Sequence, residues 1–251
     1  KTPPEKKPVT VSDLFQQDEE PPPPPKKPPP PPRPDGPEPR WNWLSVRAMF
    51  DFAYLSDANI CSPGAPSSYF CTDERGARYT GRPQRNDDIS PGFGFSVARL
   101  VLGYERLLFA GLTAGAFAGY AFNFAPSAEG RTSGFPLNLE ARATYTFGRS
   151  PYVDGAGRLH PFVFVSAGAA DFDTHVIIRV NEKPCPAKSL PACYRDLNAY
   201  RLVGSFFATL GGGVRYQLQG RHALRAAMRA TMVLGDGAFV LSPELAYEFG
   251  L

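Results

Sequence analysis

The stretch Glu244-Leu-Ala-Tyr-Glu-Phe-Gly-Leu251 decides the fold. Leu245, Tyr247, Phe249 and Leu251 share one parity, while Glu244, Ala246, Glu248 and Gly250 share the other. A period of two means a strand with one apolar face and one polar or small face. Aromatics on one side and glutamates on the other suit a strand whose apolar side meets lipid and whose glutamates line a closed interior. The stretch reads as the closing strand of a membrane-spanning β-barrel.

Working backward, the same alternation recurs. Leu44, Val46, Ala48, Phe50, Phe52 and Tyr54 alternate with Ser45, Arg47, Met49, Asp51 and Ala53 in a first strand. A second is expected over about 92–104, with Arg99 opposite Leu100 and Leu102 and a bulge in its first half. A tight turn near Glu105-Arg106 leads into a third, where Leu112, Ala114, Ala116, Ala118 and Tyr120 oppose Gly111, Thr113, Gly115 and Gly119. The fourth sets Leu137, Leu139, Ala141, Ala143, Tyr145 and Phe147 against Asn138, Glu140, Arg142, Thr144 and Thr146. A fifth runs from near Phe162 to Phe172, and its faces stay open because both parities are apolar or small. The sixth (about 200–217) carries Arg201 and Arg215, and the seventh (about 224–234) carries Arg225 and Arg229. Gly235-Asp-Gly237 is a hairpin signal before the eighth.

The connections alternate in length. Those after strands one, three and five (about 56–91, 123–135 and 173–199) are long, and the intervening ones are short; the third opens with His175-Val-Ile-Ile-Arg-Val180, a stretch able to prolong strand five beyond the membrane. Short turns on one rim and long loops on the other are the pattern of a barrel in a bacterial outer membrane, with both chain ends on the periplasmic side. The expected fold is therefore all-β: a closed, eight-stranded, antiparallel up-and-down barrel over residues 41–251. A soluble sandwich or lipocalin-like barrel also has short alternating strands, but its polar face meets water. The small inward parity of strand three suits a cramped lumen better, and aromatics recurring at strand ends fit interfacial girdles.

Residues 1–40 are a different material. They hold most of the 28 prolines, including Pro21–Pro25 and Pro28–Pro32. Such a segment forms no packed core and favours extended polyproline II. It reads as a periplasmic tether or spacer. Its one apolar island, Val9–Phe15, is a candidate docking peptide in which Leu14 and Phe15 meet a periplasmic protein or a peptidoglycan-associated partner. The opening at Lys1 shows no signal-peptide pattern, as expected of a secreted chain numbered from its mature end.

The net charge of +3 is too small to point to nucleic acid. Four cysteines, Cys61, Cys71, Cys185 and Cys193, fit an oxidising compartment. Their spacing matches no zinc motif, and of the possible pairings the local ones, Cys61–Cys71 and Cys185–Cys193, are favoured. No cofactor is expected.

Residues 41–251 resemble the small eight-stranded outer-membrane barrels of Gram-negative bacteria, the OmpA/OmpX-like group. The likeness rests on strand count, loop asymmetry and the ending Tyr247, Phe249, Leu251. That ending is similar to the signal read by the outer-membrane insertion machinery, with Leu251 where phenylalanine is usual. The Pro-rich segment departs from the pattern, since it precedes the barrel. The resemblance implies contact with outer-membrane lipid and lipopolysaccharide and fixes no activity.

Inward parity collects Arg47, Asp51, Arg99, Glu140, Arg142, Arg201, Arg215, Arg225, Arg229, Glu244 and Glu248. Eight strands leave a lumen only wide enough for side chains, and buried charges there must pair. Arg225 and Arg229 are expected to meet Glu244 or Glu248 on the adjoining strand. The set reads as a structural plug, with a gated narrow pore as the alternative. An enzyme of the lipid-modifying kind needs an activated nucleophile. His175, with Asp171, Asp173 and Ser166, is the one candidate cluster, and no recognisable motif supports it.

Overall fold

The computed structural model describes residues 39–62, 69–85, 87–122, 134–148, 151–153, 157–182, 193–235 and 237–251. The tether, with Leu14 and Phe15, lies outside them, as does Cys185.

Ten strands form among the described residues: β1 (Asn42–Asp57), β2 (Tyr69–Thr72), β3 (Pro83–Arg85), β4 (Ile89–Phe109), β5 (Leu112–Phe122), β6 (Leu137–Thr146), β7 (Arg158–Glu182), β8 (Cys193–Gln217), β9 (His222–Leu234) and β10 (Phe239–Gly250). Eight of them close a ring in the order β1-β4-β5-β6-β7-β8-β9-β10, and β10 returns to β1. Every pairing is antiparallel. Closure is made by the stretch Glu244–Gly250, with Leu44 opposite Phe249, Val46 opposite Tyr247 and Met49 opposite Glu244. In a closed ring every strand has two neighbours, so no ring edge is left unpaired.

The two surfaces of the wall are inverted relative to a soluble barrel. Leu102, Leu210 and Leu245 are 61–63% exposed on the outside, whereas Arg47 and Glu244 on the inside are 0% and 1% exposed. Apolar side chains face out and charges face in, which is the arrangement lipid requires. Aromatics border this band at both ends. Tyr104, Tyr145, Phe147 and Tyr216 lie towards the short turns, and Tyr54, Phe93, Tyr120 and Phe122 towards the long loops.

Several boundaries differ from expectation. β4 does not turn near Glu105-Arg106 but continues to Phe109. The reversal comes at Ala110 and Gly111, with φ of 34° and 89°. A Cβ on Gly111 would lie 2.5 Å from the Thr146 carbonyl oxygen, so only glycine fits both that φ and that contact. The bulge expected near the start of strand two is present: Phe50 faces Ala98 but Phe52 faces Phe95. The stretch 56–91 is not wholly irregular, since it contributes β2 and β3.

At 173–199 strand five does extend through His175–Val180, as the sequence allows, and it runs further and gains a partner strand. Both arms of that presumed loop are strand, and β7 pairs with β8 from Arg158↔Gln217 to Glu182↔Cys193. β6 reaches only Ala169 of β7, so the hairpin continues past the barrel wall on the long-loop side. Short β2 and β3 add to its two sides. Ile60, Cys71, Ile178, Val180, Leu197 and Ala199 pack a small second core there. The Cys61–Cys71 disulfide, with a Cα separation of 5.8 Å, ties loop one into it. The Cys185–Cys193 pairing lies outside the described residues.

Candidate functional site

The lumen is filled in layers. At the short-turn end, Trp43, Leu107, Tyr152 and Ala223 pack together. Tyr152 arrives on the turn after β6, its hydroxyl 2.8 Å from Thr146 Oγ1, and its carbonyl accepts the Arg40 N–H at 3.0 Å.

Above this cap, alternating charges form one continuous chain across the lumen. Arg215 Nε donates to Glu248 at 2.8 Å, and the other Glu248 oxygen is 2.9 Å from Arg225 Nε. Arg225 reaches Glu105 at 3.0 Å, and Arg47 reaches the same oxygen at 2.8 Å. Arg47 also donates to Glu244 at 3.0 Å. Arg142 grips both Glu244 oxygens, at 3.0 and 2.8 Å, and donates to Glu140 at 2.8 Å. Arg229 completes it, 2.9 Å from Glu140 and 3.5 Å from Glu244. The expected partners Arg225 and Arg229 thus split between Glu248 and Glu244.

Aromatic rings occupy the space between these groups. Arg47 and Arg142 lie 3.9 and 4.9 Å from the Phe117 ring centroid. Arg142 lies 4.1 Å from Phe164, and Arg225 4.6 Å from Phe162. These contacts assign the faces of β7 left open by sequence: Phe162 and Phe164 point inward. Guanidinium faces stack on rings while their edges bond carboxylates, so each arginine uses both its chemistries.

A second, separate cluster lies nearer the long loops. Arg99 pairs with Asp51, which also accepts the Ser242 hydroxyl at 2.6 Å. Arg99 reaches the Asp171 carbonyl at 2.7 Å and lies 4.4 Å from the Phe172 ring centroid. Around it Ala53, Phe172, Val203, Phe207, Val233 and Val240 form an apolar layer. Arg201 was expected in the lumen, but it pairs in register with Tyr69 and Thr174 on the projecting hairpin.

Glu105 was not singled out by sequence, yet two arginines and two threonines converge on it. The signal was present. Glu105 keeps the inward parity of Arg99, Val101 and Gly103.

The candidate catalytic cluster is not assembled. His175 is exposed, stacks on Tyr200 at 4.7 Å and bonds Asn198 at 3.0 Å. Ser166 has the opposite parity and is buried in the lumen. Asp171 accepts the Phe135 N–H at 2.7 Å.

On the projecting hairpin, a groove of about 490 Å³ is bordered by Asp73, Glu74, Arg75, Arg179, Tyr194 and Arg195. Hydrogen bonds from Arg179 hold the Asp196 carboxyl below its ordinary range.

No family model and no curated protein matches the chain. Solved structures do. Neisserial surface protein A is 12% identical with a TM-score of 0.41, over 84% of this chain and 97% of that one. The N-terminal β-barrel domain of OprF from Pseudomonas aeruginosa is 13% identical with a TM-score of 0.36, over 84% and 99%. Ail, the attachment invasion locus protein of Yersinia pestis, is 9% identical with a TM-score of 0.33, over 84% and 100%. By its own pairing and burial the chain is a closed eight-stranded antiparallel β-barrel with an apolar outer wall and a charged, filled lumen.

Proposed function

We propose that this chain is a non-enzymatic outer-membrane barrel that anchors and presents, rather than one that conducts or catalyses. The observation that carries this is the ion chain from Arg215 to Arg229, capped by the Trp43–Tyr152 cluster and overlain by the Phe172–Phe207 layer. Opening it would leave buried charges unpaired, which costs several kcal/mol per ion. In this reading the short turns and chain ends face the periplasm. The projecting β7–β8 hairpin, braced by Cys61–Cys71, faces outward towards lipopolysaccharide, another surface or a protein. Tyr247, Phe249 and Leu251 present the insertion signal. In planar bilayers the reconstituted chain should show no unitary conductance steps. Reproducible open levels in the wild-type chain would overturn the plug and favour a narrow channel.

The anchoring part of the proposal belongs to residues 1–40. Proline restricts the unbound chain, so an extended segment loses less entropy on docking. At about 3.1 Å per residue such a segment spans on the order of 120 Å, which lets Leu14 and Phe15 reach a partner well away from the membrane. Cross-linking from the tether in intact envelopes should capture a periplasmic or peptidoglycan-associated partner that Leu14→Ala/Phe15→Ala loses. Identical recovery with both chains would leave the tether a spacer.

A further inference from the structure

The two rims differ in charge. Exposed or half-exposed carboxylates Asp57, Glu74, Asp88, Asp171 and Asp196 all lie towards the long loops. At the short-turn rim no exposed Asp or Glu side chain occurs among the described residues, and Asp154 is the only acidic residue in the sequence of the short turns themselves. That rim instead presents Arg106, Arg158 and Arg221, all exposed, with no hydrogen bond or ion pair from their guanidinium groups to another described residue. They sit on three different hairpins and so distribute around the ring. Each adjoins the aromatic girdle. Arg106 follows Tyr104 on the same strand face, Arg158 pairs with Gln217 beside Tyr216, and Arg221 precedes His222, whose ring stacks on Tyr247 at 5.8 Å.

Arginines placed just beyond an aromatic belt lie at headgroup depth, where a planar guanidinium binds phosphate through two parallel N–H donors. Among the described residues, the exposed Asp and Glu side chains lie at the other end of the barrel. We propose that the short-turn rim is a binding surface for the phosphodiester headgroups of anionic phospholipids in the leaflet it meets. This rests on the membrane-spanning reading above and adds a lipid class and a side to it.

Both tryptophans of the chain lie at this rim: Trp41 is half exposed and Trp43 is buried in the mouth. Tryptophan emission therefore reports the short-turn rim even in a symmetric bilayer. The full chain is inserted into phosphatidylcholine vesicles containing equal fractions of brominated phosphatidylglycerol or brominated phosphatidylcholine. The anionic lipid should quench with a relative association constant about five-fold higher. Arg106→Gln/Arg158→Gln/Arg221→Gln should bring the ratio close to one. Arg75→Gln/Arg78→Gln/Arg82→Gln, on the long-loop side, should leave it unchanged. Arg221→Gln alone, in a turn, should lower the ratio and serves if the triple variant does not insert. Equal quenching of the wild type by the two lipids overturns the proposal, as does a preference that survives all rim substitutions or falls equally in the long-loop variant. A wild-type chain that fails to insert at all would instead sink the membrane-spanning reading.

Discussion

Replacing Glu244 by alanine is expected to destabilise the barrel by about 3–5 kcal/mol, because it removes a buried counter-charge that three arginines share. Glu244 is 1% exposed and accepts from Arg47 and twice from Arg142, with Arg229 at 3.5 Å. Arg47 keeps Glu105 and Arg142 keeps Glu140, but five cations would then share three carboxylates in the chain. Neither lipid nor the stacked phenylalanines can hydrate the charge that remains. Glu244→Gln, which keeps the shape and some hydrogen bonding, should fall between wild type and alanine. The comparison is Asp196→Ala, which breaks an ion pair of equally short distance, 2.7 Å, out on the hairpin. There water replaces the lost partner, so barrel unfolding should not change measurably. Reversible urea unfolding in vesicles, followed by tryptophan emission and gel mobility, measures both. If Glu244→Ala unfolds no more readily than Asp196→Ala, the ion chain is not what holds the lumen together.

What was legible in the sequence follows from what a period of two encodes. Where one parity is apolar and the other charged, as in Leu137–Thr146 or Glu244–Leu251, the inward and outward faces could be read directly. The signal weakens where both faces are apolar. Phe162 and Phe164 face inward, under the guanidinium groups of Arg225 and Arg142 on other strands, and that is a tertiary fact. Glu105 was lost for the opposite reason. A Glu-Arg pair between apolar residues looks like a turn, although the parity runs through it unbroken to Leu108. The projecting hairpin was legible only in its first arm, where His175–Val180 continues strand five. In the second arm, Asp196 and Asn198 resemble a polar loop until β7 and β8 are placed in register. Arg179 then faces Asp196, and His175 faces Tyr200. Cross-strand pairs of this kind stabilise a sheet without leaving an alternating apolar pattern in either strand.

Arginine placed at Ala141 should cost about 2–4 kcal/mol, the penalty for a charge on the lipid face near the midplane of a barrel. Ala141 is exposed on the outer wall and stands in register with Ala116 on β5 and Ala167 on β7, with Ala208 next on β8. The row lies between the two aromatic borders, far from either headgroup layer. Its neighbour Arg142 makes the contrast within one dipeptide, since that native arginine is buried at 3% exposure and held by Glu244 and Glu140. The same side chain is therefore accommodated on one face of β6 and rejected on the other. Depth should matter as well as face. Leu137→Arg, compared with Leu137→Ala to remove the effect of the lost leucine, lies near the end of β6 and should cost only about 0–1 kcal/mol, because the guanidinium can snorkel to the interface. A water-soluble barrel predicts something different. There an exposed alanine is a surface position, and Ala141→Arg would be nearly neutral. Urea unfolding of the three variants in vesicles separates the cases. Equal, small effects at positions 137 and 141 would mean that the apolar wall does not face lipid, and the membrane-spanning reading would fall with it.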